Sequence, residues 1–333
     1  MNRILPELHL RRARAIPLET ICMEKRQAVN IRYIGGPTAW IEFCGLRFLT
    51  DPTFDAQGTE YTTGPVTLRK LVDPPVAPEE LGAIDFVLLS HDQHSDNLDH
   101  AGRQMLPKAR TVLTTKDGAE RIGNNAVGLV PWQTIRVRSP AGEALLVTAT
   151  PARHGPTGCE DRSGPVIGFA VRKAGGVEEE TLYVSGDTVW YEGVGEVARW
   201  FRVRTAVVNM GAARVEAAGP APLTMTAQDG VMVARAMPDA AIVPLHFEGW
   251  AHFSESRHLI ERVFHDAGLQ DRLRWAEPWM RRLRAFEYGS PRVGTLAGYC
   301  SKYPCAQRQV RFHPRQQRLG LELFLFDRAH NQN

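Results

Sequence analysis

The sequence predicts an α+β fold, and three observations predict it. From Val29 the chain carries short apolar runs punctuated by glycine and proline, the pattern of an antiparallel meander. From about Thr205, strand-like runs alternate with helical spacing. Throughout, one apolar run after another ends abruptly in histidine or aspartate.

The elements follow in order. Residues 31–34, 39–43 and 46–49 read as three strands, joined at Gly35-Gly36-Pro37 and Cys44-Gly45. Residues 53–83 hold four prolines and little periodicity. A loop of that length is uncommon unless functional, so it reads as a wall of a substrate pocket. Residues 84–89 form a buried strand, 111–114 a short one, and 117–122 a short helix stopped at Gly123. Strands at 144–150, 166–171 and 181–184 precede a helix over 193–201. A strand at 205–210 leads to a helix over 227–237, with Thr226 as its N-cap. The last strand of the domain is 240–245. The last helix runs from a Ser254 cap to Ala267, with Leu259, Ile260, Val263 and Phe264 at helical spacing. Residues 321–326 read as a short terminal strand.

Composition fits this fold and excludes several classes. The chain has 333 residues, 43% hydrophobic and 23% charged, ample for a sizeable core. A net charge of only +3 does not call for nucleic acid as a partner. No apolar run approaches the roughly 18 residues of a membrane span, and the first residues lack the apolar segment of a secretory signal. Cys22, Cys44, Cys159, Cys300 and Cys305 are odd in number and form no Cys-x-x-Cys pair. That favours reduced thiols in a cytoplasmic protein. Residues 1–22 read as a poorly ordered leader, 23–280 as the folded domain, and 281–333 as a basic tail.

The chemistry concentrates where the strand at 84–89 ends. Ser90-His91-Asp92-Gln93-His94-Ser95-Asp96-Asn97 is wholly polar, and three histidines and three aspartates fall within positions 91–100. Imidazole and carboxylate are ligands of choice for divalent transition metals, and a strand end holds them rigidly. The bland alternative is a helix start capped by Ser90 or Asp92. His154, flanked by Arg153 and by Gly155-Pro156 beyond the next long strand, has little to pack against. Other strands end at Asp51, at Ser185-Gly186-Asp187 and at His246, with His252 shortly after. Gly186 lets the backbone come close there. The bland readings are a turn-initiating Asp51, an N-cap at Asp187 and a satisfied strand-end His246.

In this order the residues resemble the metallo-β-lactamase superfamily, across about residues 29–275. The loop pattern of that family is His-x-His-x-Asp-His after a buried strand. Here either Asp92 stands where the first histidine belongs, or His91 is that ligand and one residue is inserted before His94. Asn97 stands where the last histidine belongs. The segment Leu245-His246-Phe247-Glu248-Gly249-Trp250 resembles the branch with ascorbate-6-phosphate lactonase and phospholipase-D-type hydrolases of N-acyl phosphatidylethanolamines.

The resemblance implies an αββα sandwich: two mixed sheets face to face, helices outside, metals at one edge. It implies metal ligands among His91, Asp92, His94, Asp96, His154, Asp187 and His246, with Asp187 bridging two metals or completing one. Asp51, Asn97, Arg153 and His252 fall to supporting or substrate-binding roles. The implied cofactor is one or two divalent ions, zinc first, with manganese or iron as alternatives. With a carboxamide at Asn97, the second metal is expected to be held weakly. The implied activity is hydrolysis of an ester, lactone or phosphodiester in a small anionic molecule by metal-activated water. Asp187 would orient the nucleophile and Asp96 act as general base. The same fold also accommodates a metal-free binding or regulatory protein and an iron-dependent dioxygenase.

Overall fold

The computed structural model describes residues 29–175 and 180–279, together with the backbone of Glu322–Leu325. The expected leader and most of the basic tail lie outside the described residues. The chain opens with β1 (Asn30–Gly35), β2 (Thr38–Phe43) and β3 (Leu46–Thr50), the expected antiparallel meander. At the first turn Gly36 has φ +55°, and an added Cβ would meet the Trp250 indole nitrogen at 2.9 Å. Only glycine satisfies both demands.

The segment expected to be irregular contains a hairpin, β4 (Glu60–Thr63) and β5 (Val66–Arg69). After it, β6 (Phe86–Leu88) runs parallel to β3 and is buried on both faces, so it reads as an unbroken apolar run. Then α1 (His100–Met105) leads to β7 (Thr111–Thr115), and α2 (Lys116–Ile122) leads to β8 (Ala126–Leu129). Asp99, not Ser90 or Asp92, caps α1, accepting from the Gly102 N–H.

A second series begins with β9 (Gln133–Arg138) and β10 (Ala144–Pro151). The short α3 (Glu160–Ser163) precedes β11 (Ile167–Lys173) and β12 (Thr181–Val184). Strand and helix then alternate: α4 (Glu192–Trp200), β13 (Val203–Asn209), α5 (Ala227–Ala236), β14 (Ala241–Leu245) and α6 (Arg257–Asp266). β9 to β12 pair antiparallel, whereas β13 and β14 continue parallel to β12. Finally β15 (Glu277–Pro278) returns to β1, and β16 (Glu322–Leu325) pairs with β9, where a terminal strand was expected.

The result is two seven-stranded mixed sheets. Strand alternation sorts their side chains into layers. Phe48, Phe86 and Leu88 of one sheet meet Val147, Phe169 and Val207 of the other in a shared core. The next residues along, Val87 and Val208, point the opposite way. Val87 packs with Met105 and Leu106 at the end of α1, and Val208 with Val197, Val231 and Phe264 of α4, α5 and α6. The α/β/β/α sandwich is therefore as the sequence predicts. Thr226 caps α5 as expected, in a reciprocal capping box with Asp229. The cap of α6 is Ser256 rather than Ser254, because the Ser254 hydroxyl is committed to the Ala212 carbonyl.

Candidate metal centre

The ends of β3, β6, β12, β13 and β14 converge on one edge of the sandwich. Gly186 makes this possible, since a Cβ there would meet the Ile167 carbonyl at 2.6 Å and the Ser90 side chain at 2.7 Å. His91 and His94, beyond β6, face His154, beyond β10. His91 Nε2 lies 3.0 Å from His94 Nδ1, which lies 3.1 Å from His154 Nε2. His154 Nδ1 donates to the Leu223 carbonyl at 2.8 Å, leaving its Nε2 as a lone pair aimed at the other two rings. Burial and the adjacent imidazoles hold His91 well below the usual histidine range and His94 down to about 4. Both rings are thus neutral at pH 7, as ligation requires.

Beside this triad lies a second. Asp96 Oδ2 is 3.0 Å from His252 Nε2 and 3.4 Å from His246 Nε2. Asp187 reaches a member of each group. Its Oδ1 is 3.0 Å from His246 Nδ1, and its Oδ2 is 3.8 Å from His154 Nε2. Asn209, the last residue of β13, donates to Oδ1 at 2.7 Å and fixes the carboxylate. Burial favours neutral acids at Asp187 and Asp96, but the surrounding histidines outweigh it and hold both far below the carboxylate range. Burial likewise opposes charge on His246, yet Asp187 and Asp96 push it up to about 10.

Backbone strain accompanies these positions. His246 has φ +55° and Asp51 φ +26°, conformations that non-glycine residues rarely adopt. Asp51 is 1% exposed, and its Oδ1 accepts from the Ser90 N–H at 2.6 Å. Ser90 Oγ in turn lies 2.8 Å from His91 Nδ1. Burial and the nearby Asp187 charge raise the Asp51 carboxyl to about 8 despite that N–H.

Three expected site residues stand elsewhere than anticipated. Asp92 does not face the histidines. Arg121 binds its carboxylate through two nitrogens, at 2.9 and 2.5 Å, and Arg103 donates to its backbone carbonyl at 3.0 Å. The open choice between His91 and Asp92 is thereby resolved in geometry: only His91 joins the cluster. Arg153, expected to meet an anionic substrate, lies 4.6 Å over the Tyr191 ring and donates to Thr157. His252, read as a substrate contact, instead groups with Asp96 and His246 within 4.8 Å. Asn97 is fully buried with neither amide atom hydrogen-bonded, and it is in neither group. Sequence reading also missed Asn209, although a polar residue ending a buried strand was a usable signal.

The donor set fits a divalent cation. Three imidazole nitrogens converge where at most one shared proton could relieve each contact. Asp187 Oδ2 and His246 Nε2 are buried without a hydrogen-bond partner. Tetrahedral metal–nitrogen bonds of about 2.0–2.1 Å place ligand nitrogens roughly 3.3 Å apart, close to the spacing here.

A cavity of about 300 Å³ opens over both groups. The β4–β5 hairpin forms one wall and residues 213–223 the other, with His94, Asp96, His154 and His252 at the floor.

Comparison with known proteins identifies the family. A model of the beta-lactamase superfamily domain matches residues 46–247. The chain belongs to this superfamily. The UPF0173 protein YddR of Bacillus subtilis is 27% identical over 253 residues, covering 74% of this chain and 96% of that one. A UPF0173 metal-dependent hydrolase of Caldivirga maquilingensis is 23% identical and covers 70% and 90%. N-acyl-phosphatidylethanolamine-hydrolyzing phospholipase D 1 of Caenorhabditis elegans is 27% identical over 183 residues, 49% of each chain. Among solved structures, an isothiocyanate hydrolase from Delia radicum gut bacteria superposes with a TM-score of 0.62 at 24% identity, covering 74% and 95%. The superfamily member described here is an enzyme of the metal-dependent hydrolase class, and its His/Asp groups can hold metal. No described helix is long and apolar enough to cross a membrane, and Cys44 and Cys159 are buried.

Proposed function

We infer that the chain holds two divalent cations and uses them to hydrolyse an ester, lactone or phosphodiester bond. His91, His94 and His154 would hold one cation, and Asp96, His246 and His252 the other. The observation that carries this reading is the Asp187 carboxylate, which reaches a member of each triad and keeps Oδ2 without a hydrogen-bond partner. Bound cations would supply an acidified water near neutral pH and polarise the scissile oxygen.

The protein's own groups would do the rest. Asn209 keeps Asp187 oriented. Asp96 would take the proton of the attacking water at the carboxylate oxygen it does not give to a cation, and His252 Nε2, 3.0 Å from Asp96 Oδ2, would sit on the same cation. Asp51, through Ser90, sets the ring of His91. The mixed His/Asp shell suits zinc, manganese or iron.

Elemental analysis of the purified protein tests the reading. Two equivalents of divalent metal are expected, lost in His154→Ala and Asp187→Ala together with turnover of a panel of activated esters, lactones and phosphodiesters. Full metal content in both variants would overturn the ligand assignment. Iron with oxygen uptake and no hydrolysis would replace the reaction.

A further inference from the structure

We propose that the cavity is a slot for an uncharged hydrocarbon group, so that the substrate carries its scissile bond beside a neutral apolar moiety rather than an anionic one. This deepens the hydrolase reading above and rests on it for the position of the bond.

The walls carry the inference. In the β4–β5 hairpin, Tyr61 stands opposite Leu68 and Thr63 opposite Val66. Cross-strand partners share a face, and these four side chains line the cavity together with Pro65 of the turn. The alternate pairs, Glu60 with Arg69 and Thr62 with Thr67, are not among the lining residues. Thr63 apart, the hairpin sorts its polar and charged side chains away from the slot and its apolar ones toward it, although of its strand positions only Tyr61 is buried. The facing wall presents Ala213, Val215 and Leu223.

Charge points the same way. Among the described lining residues, Arg162 is the side chain of fixed positive charge. It is exposed at the mouth, where its guanidinium donates to Cys159 Sγ and the Ala217 carbonyl. The amide nitrogen of Gln93 is likewise occupied, by the Ser163 and Pro165 carbonyls. An anion between these walls, away from the floor, would lose its hydration and find only the exposed Arg162 among the described lining residues as counter-charge. An alkyl or aryl group gains at every contact, by roughly fourfold in affinity per buried methylene. The volume, about 300 Å³, is at the small end of ligand pockets, so the group is short.

The test is direct binding of a neutral fluorophore, N-phenyl-1-naphthylamine, to the protein as purified and after chelation. Saturable, blue-shifted binding is expected in both forms. Straight-chain alcohols from butanol to octanol should displace it with potency rising roughly fourfold per methylene until the slot is full. Leu68→Glu and Val215→Glu, one on each wall and both partly exposed, should each weaken it at least tenfold. Metal content and the thermal transition should stay unchanged. Absence of saturable binding, potency independent of chain length, or undiminished binding in both variants would overturn the slot. A protein that binds the fluorophore yet holds no metal would overturn the hydrolase reading and leave the slot standing.

Discussion

At the scale of single residues, the site is defined by which polar side chains are already occupied. Asp92 is 4% exposed, yet Arg121 and Arg103 satisfy it, so it anchors the loop. Removing one partner leaves a buried carboxylate short of counter-charge, and breaking such pairs costs about 3–5 kcal/mol when both groups are buried. Arg121 is half exposed, so Arg121→Met should cost about 2 kcal/mol in urea denaturation. A loss below the error of the measurement would mean that the loop holds without the clamp. In the proposed second site His252 would supply the imidazole that Asn97 cannot. His252→Ala should therefore lower second-metal affinity at least tenfold in titrations of chelator-stripped protein. Asn97→His should leave that affinity within about threefold, because the position is in neither ligand group. A large gain would place Asn97 in the shell after all.

At the scale of elements, the β4–β5 hairpin is tied to the metal loop through buried charge. Lys70 Nζ, at the end of the hairpin, is 3.1 Å from Asp99 Oδ2, with side chains only 5% and 0% exposed. Lys70→Met should cost about 3 kcal/mol, somewhat under the full penalty, since Asp99 keeps the N–H groups of Asp55 and Gly102. The loss is read from the shift in denaturation midpoint. Asp55 makes a second tie, accepting from the Tyr61 hydroxyl and from the His100 and Ala101 N–H groups at the start of α1. Burial opposes its charge, but these donors prevail and hold its carboxyl below the usual range. A depressed carboxyl contributes stability above its unfolded pKa of about 3.9 and loses it as pH falls through the folded value. Asp55→Asn should then melt below wild type at pH 7, and the gap should close toward pH 3. A gap independent of pH would assign the effect to packing.

At the scale of the molecule, each proposed metal joins the two sheets. His91, His94 and Asp96 follow β6 of one sheet, whereas His154 and His246 follow β10 and β14 of the other. A cation bound only by the folded state adds about 2.7 kcal/mol at a hundredfold excess over Kd. Chelation should lower the melting temperature by roughly 5–10 °C in calorimetry for a domain of this size. An unchanged transition would show that no cation links the sheets.

By itself the sequence determined the strands and the strand ends on which the chemistry sits, and through them the family resemblance that implied the sandwich. Alternation and unbroken apolar runs are local patterns, and each reports how one strand is buried. The strands of the meander, β6, β10 and the parallel strands were legible for that reason, and so were Asp51, His91, His94, His154, Asp187 and His246 at or just beyond their ends. The strands at Ala126–Leu129 and Gln133–Arg138 escaped, being short and set between turns. Only the tertiary structure decided between His91 and Asp92, because the answer depends on Arg121, on a helix 29 positions away. The same holds for His252, which meets Asp96 from 156 positions along the chain. It holds again for the apolar slot, whose two walls are unrelated in sequence. Spacing along a chain fixes which face a side chain leaves from, but not what stands opposite it once the sheets have packed.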